Sequence, residues 1–395
     1  MVLTGDTLVQ HGERRLDWIR SRMRLLAAIK DEFAESRPFR RLRIGVAIHL
    51  DPKTAVLLEV LAAGGAEIVA TGNHGSTQDD IVAVLRSQGM TIYGARDDTA
   101  EQHAENLTHV LALQPDIILD NGGDLIAQGV RDGTTARIIG ATEETTSGGD
   151  RLRGELAGRV PYPVIVINDS PLKQIGENKH AVGQSVVESF MRITNLMVPG
   201  RRFVVIGYGW CGRGVAQYLR ALGGRVAVVE RDELKAFEAA MDGFRVGATS
   251  DLAGWGEVFI TATGRPNVLG PEDFARMESG AVLANCGHFA WEIDVSALTA
   301  HAERVREVDD GIEQVEFADG RYLTLIAGGR MFNLAGREPK GNSLESMDLG
   351  FLLQAMSLER VARRPAELTA GAHPVPDDLN REIARRMLAT MQVDR

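Results

Sequence analysis

Short apolar segments alternate with more polar, helix-like segments over most of this chain. RIGVAIHL, AEIVATG and DIILDNGG have the composition of strands, whereas 53–63, 78–88 and 98–112 have the spacing of helices. A second series begins near residue 185 and includes VFITATG, AVLANCG and RYLTLIAGG. Short apolar strands between helices are typical of parallel sheets covered on both faces. The pattern therefore predicts an α/β fold with two parallel sheets.

The two series predict two Rossmann-like domains. The first would span 1–180 and the second 181–340, with hinges near residues 180 and 340. The remaining segment, 341–395, has mostly helical character interrupted by prolines. We expect this segment to return to the first domain and pack on it.

One segment, FVVIGYGWCGRGVAQYLRALGGRVAVVE (203–230), has the order strand, glycine turn, helix, strand and acid. Three glycines match G-x-G-x-x-G directly after the strand: Gly207, Gly209 and Gly212. Such glycines allow a tight turn, close approach of a pyrophosphate and close helix packing. Three glycines can match by chance, but the complete unit indicates dinucleotide binding. Glu230 is placed to accept the ribose hydroxyls and favours NAD over NADP, although Arg231 follows it.

Composition narrows the class of protein further. The 395 residues are 44% hydrophobic and 25% charged, which is ordinary for a soluble globular protein, and the net charge of −10 argues against nucleic acid or an anionic membrane as the main partner. No apolar run is long enough to span a bilayer, and the N-terminus lacks a signal peptide's apolar core. Cys211 and Cys286 lack metal-ligand spacing, so we expect a cytoplasmic protein without a metal.

Polar residues follow many of the predicted strands. In parallel sheets ligands bind at the carboxyl ends of strands, so these side chains would share one edge. Each alone could instead be a turn residue or a helix cap. The candidates are His49, Asn73, Ser76, Thr77, Gln78, Asp79, Asp120, Asn121, Asp124, Asn168 and Asp169 in the first series, and Thr261, Thr263, Asn285, Gly287 and His288 in the second.

Two further charged segments have two interpretations. E-E-T-T (143–146) and the run from Lys173 to Asn178 could be solvated loops with weak surface ion pairs. If buried, a lysine beside a carboxylate could instead serve as a base. The residues alone leave this choice open.

Together these segments resemble the S-adenosyl-L-homocysteine hydrolases, or adenosylhomocysteinases. The resemblance covers roughly 40–390 and rests on HLDPKTAVL, GNHGSTQDD, LDNGGDL, TEETTSG, NDSPLKQIGEN, GYGWCGRGVAQ, NCGHFAWEID and RMFNLAG, in this order. It implies a substrate domain over 1–180, an NAD-binding domain over 181–340 and a returning tail. It also implies tightly bound NAD, a nucleoside substrate, domain closure over that substrate, and a homo-oligomer, either tetramer or dimer.

The resemblance also implies a redox detour. NAD transiently oxidises the nucleoside 3′-hydroxyl, the ketone acidifies the 4′ C–H, the 5′ group is eliminated, water adds, and the ketone is reduced again. Lys173 and Glu177 would act at the 3′ and 4′ positions, His49 near the 5′ leaving group, and His288 beside the nicotinamide. Glu144 and Asn168 would bind the ribose. The other implied substrate contacts are Asp51, Lys53, Asn73, Thr77, Gln78 and Asn342, and the other implied NAD contacts are Thr145, Thr146, Asn178, Thr263, Asn285, Gly287 and Asn333.

Several positions depart from the family pattern. Asn121 stands where an aspartate supports proton transfer at the 5′ position, and Glu177 replaces an aspartate. Asp51 and Lys53 stand in the H-x-T-x-E segment that faces adenine, and Asn342 stands where a histidine closes over it. In the family, a C-terminal segment that bears lysine and tyrosine reaches the NAD of a neighbouring subunit, and these 395 residues contain no match to it.

The redox machinery thus matches better than the base-recognising and 5′-handling parts. We expect a diverged NAD-dependent enzyme that eliminates the 5′ group of another nucleoside, as in a dehydratase forming a 4′,5′-unsaturated product. The alternatives are an orthodox S-adenosyl-L-homocysteine hydrolase and an NAD-binding regulatory pseudoenzyme.

Overall fold

The computed structural model describes residues 5–73, 76–287, 290–335 and 339–392. They fall into two compact units. Unit 1 runs to Gln174 and resumes at Leu344, and unit 2 spans Ile175–Ser343. Unit 1 is therefore discontinuous in sequence, with unit 2 inserted between its two parts.

The first part of unit 1 alternates strands and helices after two N-terminal helices. Its elements are α1 (Gly5–Arg22), α2 (Arg24–Ser36), β1 (Arg43–Ala47), α3 (Pro52–Ala63), β2 (Glu67–Thr71), α4 (Asp79–Ser87), β3 (Thr91–Tyr93), α5 (Ala100–Ala112), β4 (Ile117–Asp120), α6 (Asp124–Asp132), β5 (Gly140–Glu143), α7 (Thr146–Arg153) and β6 (Pro163–Val166). A 3₁₀ turn (Ile167–Asp169) and a π-helix (Lys173–Ala181) then lead out of unit 1.

Unit 2 begins within that π-helix and continues the alternation. Its elements are α8 (Val182–Thr194), β7 (Arg202–Ile206), α9 (Trp210–Ala221), β8 (Arg225–Val229), α10 (Glu233–Met241), β9 (Arg245–Val246), α11 (Thr249–Leu252), β10 (Val258–Thr261), α12 (Pro271–Phe274), β11 (Val282–Asn285), α13 (Val295–Ala300), β12 (Arg304–Asp309), β13 (Ile312–Glu316), β14 (Tyr322–Ile326) and α14 (Phe332–Ala335). Unit 1 then resumes with α15 (Leu344–Arg363), β15 (Gly371–Pro374) and α16 (Asp377–Thr390).

The unit 1 sheet is wholly parallel among the described strands, in the order β15-β6-β5-β4-β1-β2-β3. The order in which successive strands are added reverses at β1, because β2 lies on one side of it and β4 on the other. This switch point opens a crevice beyond the carboxyl ends of β1 and β4, where doubly wound sheets bind ligands. The topology therefore brings the residues after these two strands to one place.

Helix α15 completes the core of unit 1. Its residues Phe351, Leu352 and Leu353 are buried in one cluster with side chains of α2, α3 and β4. Asp348 of the same helix accepts the backbone N–H groups of Leu25 and Leu26, both at 2.8 Å, and so caps the start of α2. The returning tail is thus built into unit 1.

The unit 2 sheet has the order β12-β13-β14-β11-β10-β7-β8-β9. Its switch point lies at β7, which pairs with β8 on one side and with β10 on the other. Strands β12, β13 and β14 pair antiparallel, which the sequence did not predict. Separate apolar clusters cover the two faces, with α8 and α9 on one and α11, α12 and α13 on the other.

These observations confirm the predicted α/β class, the two Rossmann-like sheets and the return of the C-terminal helices to the first of them. Strand β15 is an addition, since the tail was predicted to be mostly helical. It pairs in parallel with β6 and forms the edge of the unit 1 sheet.

Candidate active site

Lys173 and Glu144 form a buried ion pair in unit 1. The Lys173 Nζ lies 3.3 Å from the Glu144 Oε1, and the two residues are only 3% and 5% exposed. The Asn121 Nδ2 donates to the other Glu144 oxygen at 2.7 Å, and the Asn73 Nδ2 donates to the Asn121 Oδ1 at 2.9 Å. The solvated-loop interpretation of both segments is therefore wrong for Glu144 and Lys173. Four predicted residues from four separate segments form one hydrogen-bonded chain.

His49 lies just beyond β1, on the same edge. Its Nδ1 is 2.6 Å from the Ser76 Oγ, and that hydroxyl donates to the Asn73 carbonyl at 2.9 Å. Burial lowers the pKa of His49, against the opposing attraction of Glu144. The imidazole is therefore neutral near neutral pH and able to accept a proton.

Asp51 and Lys53 lie at the start of α3. The Asp51 Oδ1 accepts the backbone N–H groups of Lys53 and Thr54, both at 2.9 Å, which is N-capping followed by a proline at the first helical position. The Lys53 Nζ lies 3.3 Å from the Asp51 Oδ2 although Lys53 is only 7% exposed. This places a hydrogen-bond donor where the family resemblance implies the nucleobase.

The remaining unit 1 candidates are more dispersed. Thr77 is buried against the backbone of Gly72. Gln78 binds Arg15 of α1 through its amide oxygen. Asn168 lies in the 3₁₀ turn after β6, and Thr145 caps α7 by accepting the Gly148 N–H at 2.9 Å. Thr146 is the first residue of α7.

In unit 2, the glycine turn has the geometry that its sequence predicts. Gly207 has a φ of 101°, which favours glycine, and a Cβ on Gly212 would lie 1.9 Å from the Gly207 carbonyl oxygen. A Cβ on Gly209 would meet no described atom within 4 Å. The N–H groups in the first turn of α9 are therefore accessible to a ligand through the open space beside Gly209.

Glu230 follows β8 and faces this turn. Its Oε2 accepts the Tyr208 N–H at 2.7 Å, and its Oε1 accepts the N–H groups of Arg231 and Asp232. Because a carboxylate has four lone pairs, it can still accept ribose hydroxyls.

A buried acid that the sequence did not single out organises the ends of β10 and β11. Glu292 accepts the Thr263 N–H and hydroxyl, both at 2.8 Å, and the Gly264 N–H at 2.7 Å. The Asn285 side chain is fully buried and bonds to the backbone of Gly287 and Gly329. Three predicted NAD residues, Thr263, Asn285 and Gly287, thus lie together, and their turns are held by side chain–backbone bonds.

Ser185 of α8 connects three elements of unit 2. Its hydroxyl accepts from the Asn333 Nδ2 at 3.0 Å and donates to the Asn342 Oδ1 at 3.2 Å. The Asn342 Nδ2 in turn lies 3.4 Å from the Glu177 Oε1 on the π-helix, which also carries Asn178. Ser185 lies outside the segments that carry the family resemblance, and Glu292 lies in one of them, NCGHFAWEID, but was given no role there.

His288 lies outside the described residues. Among the residues that are described, no group of three or more His, Cys, Asp and Glu side chains is arranged to hold a metal ion, and no helix is long and apolar enough to cross a membrane.

The residues of unit 2 fit NAD. The glycine turn and α9 offer N–H donors for a pyrophosphate, Glu230 offers acceptors for a ribose, and the buried Asn333 Oδ1 has no hydrogen-bond partner among the described residues. An acceptor left buried in this way is costly unless a ligand group donates to it.

Two family models match the chain. The model described as "S-adenosyl-L-homocysteine hydrolase" matches residues 4–136, and the model described as "S-adenosyl-L-homocysteine hydrolase, NAD binding domain" matches 178–338.

Curated relatives align along almost the whole chain. The S-inosyl-L-homocysteine hydrolase of Methanopyrus kandleri is 42% identical over 99% of this chain and 93% of its own length. The adenosylhomocysteinase of Thermococcus kodakarensis is 41% identical over 98% and 92%, and that of Archaeoglobus fulgidus is 40% identical over 97% and 95%. With NAD as its cofactor, this chain belongs to the S-adenosyl-L-homocysteine hydrolase family.

Proposed function

We propose that this chain hydrolyses the C5′–S bond of an S-nucleosidyl-L-homocysteine, giving the nucleoside and L-homocysteine. The observation that carries the proposal is the buried Lys173–Glu144 pair with its Asn121 bond, at the switch point of unit 1. Family membership and relatives named for two such hydrolases support it. They favour the orthodox alternative over the dehydratase that the divergent residues suggested.

Glu144 is the proposed ribose acceptor. Lys173 donates to its Oε1 and Asn121 donates to its Oε2, and a carboxylate has further lone pairs that can accept sugar hydroxyls. Lys173 would then take a proton from the sugar and return it. NAD, when bound, supplies reversible removal of hydride from the sugar.

His49 is the proposed proton carrier at the 5′ position. Its depressed pKa keeps the imidazole neutral, and its bond to Ser76 fixes the ring, so that one nitrogen stays available to the leaving sulfur and the attacking water. Asn121 cannot share this task, because an amide neither gains nor loses a proton in the physiological range.

Lys53 is the proposed determinant of the base. An ammonium group donates only, so it pairs with the carbonyl at C6 of hypoxanthine but not with the amino group of adenine. Its partner Asp51 is engaged at one oxygen by the helix cap. We therefore propose that S-inosyl-L-homocysteine is preferred over S-adenosyl-L-homocysteine.

The test is product analysis by mass spectrometry, with the NAD-loaded protein and three separate substrate sets: S-inosyl-L-homocysteine, S-adenosyl-L-homocysteine and free 5′-hydroxyl nucleosides. Release of homocysteine, faster from the inosyl substrate, is the expected result. Faster release from the adenosyl substrate would refute the assignment of Lys53 and leave the hydrolase intact.

A nucleoside dehydratase is the second candidate, and the amide of Asn121 favours it. Elimination of water followed by re-reduction needs no later addition of water at C5′. The aspartate that Asn121 replaces would then be less important for the reaction. A nucleoside product lighter by one water, without homocysteine release, would establish this candidate. No turnover with any set would favour the regulatory pseudoenzyme.

A further inference from the structure

Two buried carboxyls lie directly behind the candidate site. Asp120 ends β4 and Glu143 ends β5, and the two residues are paired in the register of the parallel sheet. Both are completely buried. The next residue along each strand is a site residue, Asn121 after Asp120 and Glu144 after Glu143.

Glu143 binds the backbone of two turns, the one that follows β4 and the one that follows β5. Its Oε1 accepts the Gly122 N–H at 2.9 Å, and it accepts the N–H and the hydroxyl of Thr145, both at 2.8 Å. A Cβ on Gly148 would lie 2.2 Å from the same carboxyl, so α7 packs directly on it. The Glu143 Oε2 is buried without a hydrogen-bond partner among the described residues.

Asp120 also binds the backbone of the turn that follows β4. Its Oδ1 accepts the Asn121 N–H at 2.9 Å, and its Oδ2 accepts the Ile126 N–H at 2.8 Å. Its own carbonyl accepts the Glu144 N–H at 3.0 Å. The Asn121–Glu144 bond therefore rests on a frame built by two acids.

The surroundings do not neutralise two negative charges. Among the described residues, the hydrogen-bond partners of both carboxyls are N–H and hydroxyl groups, and Arg151 of α7 donates to Asp124 and Glu155 instead. Asp124 and the buried Tyr162 are two further titratable groups that interact with Asp120. Burial raises the pKa of both acids, and Asp120 raises that of Glu143 further.

We propose that Asp120 and Glu143 are positioning residues that share one proton and set the geometry of Asn121 and Glu144. This inference rests on the proposed function for its effect on catalysis. We expect the proton on the Glu143 Oε2, because burying an unpaired hydroxyl costs less free energy than burying an unpaired anionic oxygen. Glu143 then accepts three donors through a neutral carbonyl oxygen.

This assignment makes glutamine a faithful substitute for Glu143. An amide carbonyl accepts the same three donors, and its NH₂ occupies the place of the protonated oxygen. We expect Glu143→Gln to keep kcat within about threefold of the parent, whereas Glu143→Ala loses about 100-fold because both turns lose their anchor. Glu155→Gln, at an exposed position in the turn after α7, is the matched control.

Infrared difference spectra of the NAD-loaded protein without substrate test the shared proton independently of activity. We expect the carbonyl band of a neutral carboxylic acid near neutral pH in the parent and in Glu155→Gln. The band should be missing in Glu143→Gln, which removes the protonated carboxyl, and should remain in Asp120→Asn, where the Glu143 Oε2 is still buried without a partner among the described residues.

Two results would overturn the proposal. One is a neutral-acid band that persists unchanged in Glu143→Gln. The other is a kcat for Glu143→Gln as low as that of Glu143→Ala in a folded protein, which would require an ionised Glu143. If no substrate set is turned over, the proposed function fails, while the infrared result still decides whether the proton is shared.

Discussion

At the scale of single residues, the candidate site depends on charged groups that are buried with their partners. Lys173 and Glu144 illustrate the point, since each would be costly in this place without the other. Such pairs make function and stability hard to separate, so a variant must remove chemistry while it preserves shape.

Lys173→Met keeps the length of the side chain and removes its proton. We expect kcat to fall by about 10³-fold, within the range for loss of a general acid–base group. Steady-state assay of homocysteine release measures this, with NAD content determined on the same sample. Lys179→Met, on the same π-helix, is the control, and equal loss in both variants would contradict the assigned role.

Lys53→Met tests the base contact. We expect the ratio of kcat/KM for the inosyl over the adenosyl substrate to fall by about 10- to 100-fold, because a donor matched to the C6 carbonyl is lost. Competition between the two substrates in one reaction gives the ratio directly. The control is Lys30→Met, on α2, which should leave the ratio unchanged. An unchanged ratio in Lys53→Met as well would mean that Lys53 serves only the cap of α3.

At the scale of elements, the glycine turn offers a matched pair of substitutions. Gly212→Ala would bring a methyl group to 1.9 Å from the Gly207 carbonyl oxygen, so β7 and α9 must separate. Gly209→Ala meets no described atom and needs no positive φ, but its methyl group would occupy the approach predicted for the pyrophosphate.

We therefore expect Gly212→Ala to lower the melting temperature of the apoprotein and Gly209→Ala to leave it nearly unchanged. Both should lose NAD, as native mass spectrometry would record. Retention of NAD by a folded Gly209→Ala variant would place the pyrophosphate elsewhere.

The elements also show what the sequence could predict. Strands such as β1 and β4 and the unit around Gly207 were predictable because period and turn chemistry are local. The hairpin of β12 and β13 was not, because RVREVD is exposed along its whole length and lacks an apolar face. The function of Glu143 was not predictable either, since it depends on a register partner, Asp120, that lies 23 residues away.

At the scale of the whole molecule, the two units should respond to different ligands. NAD contacts are predicted mainly in unit 2 and nucleoside contacts in unit 1. A ligand at 1,000 times its Kd stabilises the unit that binds it by about 4 kcal/mol. Calorimetry with NAD alone should shift one unfolding transition more than the other, whereas equal shifts would mean that the units unfold as one.

The carboxyl pair predicts how stability depends on pH. Its folded pKa values are raised above the unfolded ones, so the native state binds more protons and its extra stability is fully present only below about pH 4. That stability is lost as pH rises towards and beyond neutrality, by at most about 1.4 kcal/mol per pH unit for each proton. Glu143→Gln should flatten this part of the urea-unfolding profile, and an unaltered slope would argue against the pair.

The insertion of unit 2 into unit 1 has a consequence for biosynthesis. Unit 2 is contiguous and leaves the ribosome complete once Ser343 has emerged, whereas the sheet of unit 1 still lacks β15 and the cover of α15. Until those last residues are made, β6 is an open edge and the core shared by α2, α3 and β4 lacks the apolar residues of α15, which is the condition in which nascent chains aggregate or recruit chaperones. The first half of the protein to be translated is therefore the last to finish folding.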